Sequence, residues 1–198
     1  PFGTAPFDQI QPSHYLPAIT QAIELGKAEI EKIKAQPLPT FENTIVALDQ
    51  SGKLLGRISA IFFNLNSAET NDEIQKLARE ISPLLTSHGN DILLDPILFE
   101  RIAQVFNQRK ELNLNPEQLT LVEKTYKSFA RNGAKLTEEK AGKLREIDQE
   151  LAQTSLNFGE NVLEETNRFI HFEPEESALE GLPEGIKEAA AQLAEEKG

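Results

Sequence analysis

Between Thr40 and Asn66 the apolar residues Phe41, Ile45, Leu48, Leu55, Ile58, Phe62 and Leu65 recur at steps of three and four, with Gly52 in the one missing place. That spacing lays a single stripe along an α-helix. A helix with one apolar stripe must bury it against other helices or a sheet. Thr40 follows Pro37-Leu38-Pro39 and reads as an N-cap, because its hydroxyl can accept from a free first-turn amide. Glu42 then sits where the helix dipole favours negative charge. The stretch predicts one continuous helix about 40 Å long at 1.5 Å per residue, with Gly52 as a close-packing point.

The rest of the chain supplies partners of the same kind. Residues 1–12, with three prolines and a glycine, read as an extended arm pinned by Phe2, Phe7 and Ile10. Ser13 is placed to cap a helix carrying Ile19, Ile23, Ile30 and Ile33, which the prolines at 37 and 39 end. Thr70-Asn71-Asp72-Glu73 has the form of a capping box. The helix after it carries Ile74, Leu77, Ile81, Leu84, Leu85, His88 and Ile92, with a kink expected at Pro83. Asp95-Pro96 and Asn115-Pro116 each place a cap before a first-turn proline, and Gly133 reads as a helix stop. Thr137 opens a long helix with Leu144, Ile147, Leu151, Phe158 and Val162 expected inward. Arg168 to Phe172 alternates polar and apolar like a short strand, although no second strand is evident. A thin apolar face marks a last helix, Glu184 to Lys197. The fold class expected is all-α, an antiparallel bundle of long helices with a strand-like segment near the C-terminus. Its parts are an arm (1–12), a helical domain (13–167) and a strand-like segment with a terminal helix (168–198).

Composition bounds the partners. A formal charge of −12 argues against nucleic acid and anionic membrane, which need a basic face. No apolar run approaches the roughly 18 residues of a membrane span. The absence of cysteine removes thiolate chemistry and suits a cytoplasmic protein, with a periplasmic one as the alternative. Methionine is absent too, which suggests a processed product or part of a longer polypeptide.

Catalytic machinery is hard to find. His14, His88 and His171 are not at ligand spacing, and none begins H-E-x-x-H. No serine lies in a G-x-S-x-G elbow, and Gly52 to Gly56 lacks the ending of a phosphate loop. The clusters Glu138-Glu139, Glu164-Glu165, Glu173 to Glu176 and Glu195-Glu196 lie at helix ends and turns and read as solvated faces. The expectation is that the chain holds no catalytic, cofactor-binding or metal-binding residue.

Several stretches nevertheless resemble one family. They are Phe7-Asp8-Gln9-Ile10 with Pro12, His14-Tyr15 and Pro17-Ala18; Phe41-Glu42-Asn43-Thr44-Ile45 with Ala47-Leu48 and Ser51-Gly52; Phe62-Phe63 before Thr70-Asn71-Asp72-Glu73; Phe129-Ala130-Arg131 with Gly133-Ala134 and Leu136; and Leu179 with Gly181-Leu182-Pro183. In order and spacing they resemble the N-terminal region of the zinc metallopeptidases that include thimet oligopeptidase, neurolysin, oligopeptidase A and the bacterial peptidyl-dipeptidase, or dipeptidyl carboxypeptidase. Ser51-Gly52 and Ala68 with Thr70-Asn71-Asp72 look nearest the last branch. The resemblance implies a neurolysin-like helical domain, part of a channel wall that admits short peptides. It implies one zinc in the parent enzyme, held by an H-E-x-x-H motif downstream of the matched region, and none in this chain. The expected partner is then the missing C-terminal catalytic domain, and the chain alone is expected to be inactive. The alternative is a stand-alone helical interaction module.

Overall fold

The computed structural model describes residues 4–197, and Phe2 lies outside them. They fall into two units that divide between Asn157 and Phe158. Every regular element described is helical.

In the first unit, a 3-10 turn, Pro12–His14, leads into α1 (Tyr15–Lys34). The Gln11 amide donates to His14 Nδ1 at 3.2 Å, and Ser13 makes no cap. Helix α1 is the spine. Tyr15, Ile19, Ala22 and Ile23 enter one core with Leu55, Phe62, Ile74, Ala78 and Ile81. About two to three turns on, Ile30 and Ile33 enter a second with Phe41, Ile45, Leu98, Ile102, Val105, Val122 and Phe129. Burying side chains of this size stabilises by roughly 1.5–3 kcal/mol each. Of the arm, Ile10 packs on the first core while Phe7 is half exposed.

The predicted helix over 40–66 is not continuous. Phe41–Val46 is a π-helical turn, α2 is Ala47–Gln50, and α3 is Lys53–Ala68. Ser51 is extended (ψ 157°) and Gly52 is left-handed (φ 67°). A Cβ at Gly52 would meet nothing within 4 Å, so this glycine serves backbone conformation and not close packing. Glu29 Oε2 accepts from the Gly52 amide at 2.8 Å and fixes the break. Consequently Phe41 and Ile45 fill the second core while Leu55 and Phe62 fill the first. The sequence period survives a break because Gly52 occupies one of its places.

Helix α4 (Asp72–Leu93) contains Pro83 and is capped by Asn71, whose Oδ1 accepts from the Ile74 amide; Thr70 lies one residue too early. Asp95 caps α5 (Pro96–Gln108) and Asn115 caps α6 (Pro116–Arg131), the latter in a reciprocal box with Gln118. After Gly133, α7 runs Glu138–Arg168.

The inward face of α7 keeps Leu144 from the expected set, while Ile147, Leu151, Phe158 and Val162 are exposed. Leu144 packs against Gly133 and Leu156 joins the first core. Gln149 Nε2 donates to the Pro83 carbonyl at 3.1 Å, and Arg145 pairs with Asp91 at 2.7 Å. Ile147 and Leu151 are 52% and 60% exposed. Two stripes share this helix, and the one with polar side chains matched to α4 wins.

In the second unit, Phe158, Val162, Leu163, Phe169, Ile170, Phe172, Ile186 and Leu193 are all exposed. The unit holds the end of α7, a 3-10 turn (Glu176–Leu179) and α8 (Glu184–Lys197). None of its described residues is buried, because so short a piece cannot build a core of its own. The segment after Arg168 is not paired as a strand.

Candidate functional site

The best-built polar assembly centres on the Phe41–Val46 turn. Thr40 Oγ1 accepts from the Asn43 amide at 3.1 Å, and Asn43 Oδ1 accepts from the Thr40 amide at 2.8 Å. Asn43 Nδ2 donates back to the Leu38 carbonyl at 2.8 Å. These bonds wind the chain sharply after the prolines and aim Phe41 and Ile45 into the core.

Arg101 of α5 reaches this turn from behind. Its guanidinium donates to the Gln36 carbonyl at 2.6 Å, and to Asn43 Oδ1 and Thr44 Oγ1 at 3.3 Å each. Arg101 is only 6% exposed, and burial lowers its pKa from the usual guanidinium value. Its Nε has no partner. Nearby, Lys34 pairs with Asp95 at 2.7 Å, the residue that caps α5, and its pKa is raised by that bond and by Glu31. The C-terminal end of α1, the signature turn and the start of α5 are thereby tied together. A groove of about 400 Å³ beside them is lined by Lys32, Gln36, Asn43, Gln50 and Ser51 among others. Its carboxamides are already engaged: Gln36 on the Lys32 carbonyl, Asn43 as described, Gln50 on Asp49 and Lys53. The assembly ties the groove's carboxamides into the fold as a structural lock.

Arg101 escaped the sequence reading. The available signal was a charged residue three positions after Leu98 on the apolar face of α5, where a buried cation must find acceptors.

The three histidines have different surroundings. His14 accepts the Gln11 amide, His171 is exposed with Nε2 3.6 Å from Glu173, and His88 is buried on α4. Among the described residues no three His, Asp or Glu side chains group as metal ligands. Glu138-Glu139 lies in the first turn of α7, and Glu164-Glu165 pairs with Arg168.

His88 crosses α1 where Gly26 leaves room. A Cβ on Gly26 would lie 3.1 Å from His88 Nε2. Its Nδ1 has no partner. Burial lowers the His88 pKa, with Lys27 adding to the effect and Asp91 and Glu24 opposing it. The unfolded chain therefore takes up this proton first, near pH 6.5. Stability should be full above that pH and fall as pH drops through it toward the lower folded value. Urea unfolding at pH 8 and pH 5 checks this. His88→Gln should narrow the difference between the two midpoints, and an unchanged difference would show that other groups cause it.

No family model matches the chain. It is 37% identical to dipeptidyl carboxypeptidase of Escherichia coli (strain K12) over 100% of its own length and 29% of the relative's. Dipeptidyl carboxypeptidase of Salmonella typhimurium matches at 36%, with the same coverage of both chains. Oligopeptidase A of Haemophilus influenzae matches at 30% over 99% of this chain and 29% of the relative. The chain thus spans 29% of the length of these curated relatives, and over that span its homologues, dipeptidyl carboxypeptidase and oligopeptidase A, are members of the thimet oligopeptidase family.

Proposed function

We propose that the chain is the N-terminal helical wall of a zinc-dependent oligopeptidase or peptidyl-dipeptidase that hydrolyses short peptides. Its part is to restrict access to the channel, and the zinc motif lies in polypeptide that it does not include. The observation that carries this reading is the match along the whole chain to 29% of dipeptidyl carboxypeptidase. Supporting it, Ile147 and Leu151 stand exposed, and the second unit buries none of its described residues. Apolar surface on this scale marks an interaction site, here for the catalytic portion. Among the described residues no three His, Asp or Glu side chains group as zinc ligands, and no step of hydrolysis is assigned to them.

The gene tests the reading. It is expected to continue past residue 198 to an H-E-x-x-H motif, the pattern that places two histidines and a glutamate around zinc. A stop codon directly after residue 198 would overturn it.

A further inference from the structure

The stretch from Phe169 to Glu173 follows the last turn of α7 and carries no regular structure. Phe169 closes the helix by donating to the Glu165 carbonyl at 3.0 Å. Beyond it, among the described residues, the backbone N–H groups of Ile170, His171 and Phe172 find no hydrogen-bond partner. Their side chains are not those of a solvated loop: Phe169, Ile170 and Phe172 are 76%, 56% and 72% exposed. In an extended segment, alternate side chains take opposite faces. Ile170 and Phe172 then share one face, and Phe169 shares the other with His171.

A row of free backbone donors flanked by large apolar side chains is what a β-strand offers to a neighbouring strand. The surrounding charge selects the neighbour. Residues 158–198 hold eleven carboxylate side chains against three basic ones, a net of −8 out of the chain's −12. A second copy would bring −8 against −8 at the same edge, which repulsion opposes. A basic strand is favoured instead.

We propose that residues 169–173 form a β-strand by pairing with an extended, lysine- or arginine-flanked segment of the catalytic portion. The pairing rests on the reading of the chain as one part of a longer peptidase. It explains why three large apolar side chains stand exposed in a segment with no second strand among the described residues. The missing half of the ladder belongs to the rest of the polypeptide.

Hydrogen exchange read residue by residue tests it, with the 198-residue chain and the product of the whole gene compared. The amides of alternate residues between 169 and 173 should exchange at least about tenfold slower in the longer protein, since only alternate N–H groups face a given neighbour. Ile170→Pro and His171→Pro, placed after the helix end, should leave the helicity of the 198-residue chain unchanged. In the longer protein, the substitution on the bonded side should lower Tm more than its neighbour does. Equal exchange rates in the two proteins would overturn the strand while leaving the proposed function standing. A gene that ends at residue 198 would overturn the proposed function itself. Protection in the 198-residue chain that grows with its concentration would name a second copy as the neighbour and overturn the basic one.

Discussion

Gly133→Ala is expected to destabilise the chain by roughly 2–5 kcal/mol, the sum of a left-handed backbone penalty of about 1–2 and an overpacking penalty of about 1–3. Gly133 has φ 105°, which alanine resists. Its added Cβ would lie 2.7 Å from a Leu144 methyl, 2.8 Å from a Leu94 methyl and 3.2 Å from a Leu136 methyl. Three leucines from three segments converge there, so relief of one contact tightens another. Urea unfolding should show a lower midpoint at an unchanged slope. Gly142→Ala is the matched control. It lies inside α7 with nothing within 4 Å of its added Cβ, so the helix should gain up to about 1 kcal/mol from alanine's higher propensity. Equal effects from the two substitutions would mean that the loop after α6 does not pack as described.

Arg101→Ala should cost about 2–4 kcal/mol. Charged hydrogen bonds contribute roughly 1.5–3 kcal/mol each, and three acceptors each lose a donor: the Gln36 carbonyl, Thr44 Oγ1, and Asn43 Oδ1, which keeps the Thr40 amide. Opposing this, the variant no longer buries a cation that has no carboxylate among its hydrogen-bond partners, and removal of buried charge can stabilise. The bonds are expected to win because Thr44 is fully buried and its hydroxyl has no water to turn to. Arg101→Met should lose less, since it keeps the apolar stem. A variant as stable as the parent would show that desolvation of the guanidinium cancels its bonds, and that the signature turn holds itself.

These two positions mark where the sequence could and could not be read. Helix starts at Asp95 and Asn115 were legible because their side-chain caps are local, needing only the next three residues. The four isoleucines of α1 were legible from their spacing, and all four are buried. The break at Ser51-Gly52 was not, because a glycine in step with the apolar stripe leaves the period intact while its backbone turns left-handed. The buried side of α7 was misread for a different reason. Ile147 and Leu151 carry the stronger hydrophobic signal, but Arg145 and Gln149 find partners on α4 that no periodicity reveals. Arg101 belongs to the same class, since its acceptors lie about 60 residues away in sequence. The candidate site was legible only as a family signature. The Asn43 box and its lock by Arg101 show why Phe41 to Thr44 hold together.

Metal content and peptide hydrolysis, measured on the same preparation of the purified 198-residue chain, bear most directly on the idea of a non-catalytic wall. The expected result is no stoichiometric zinc after dialysis against micromolar zinc, and no release of dipeptides or fragments from short unstructured peptides. One zinc per chain together with hydrolysis that a chelator abolishes would contradict it, and would place a catalytic centre within these helices.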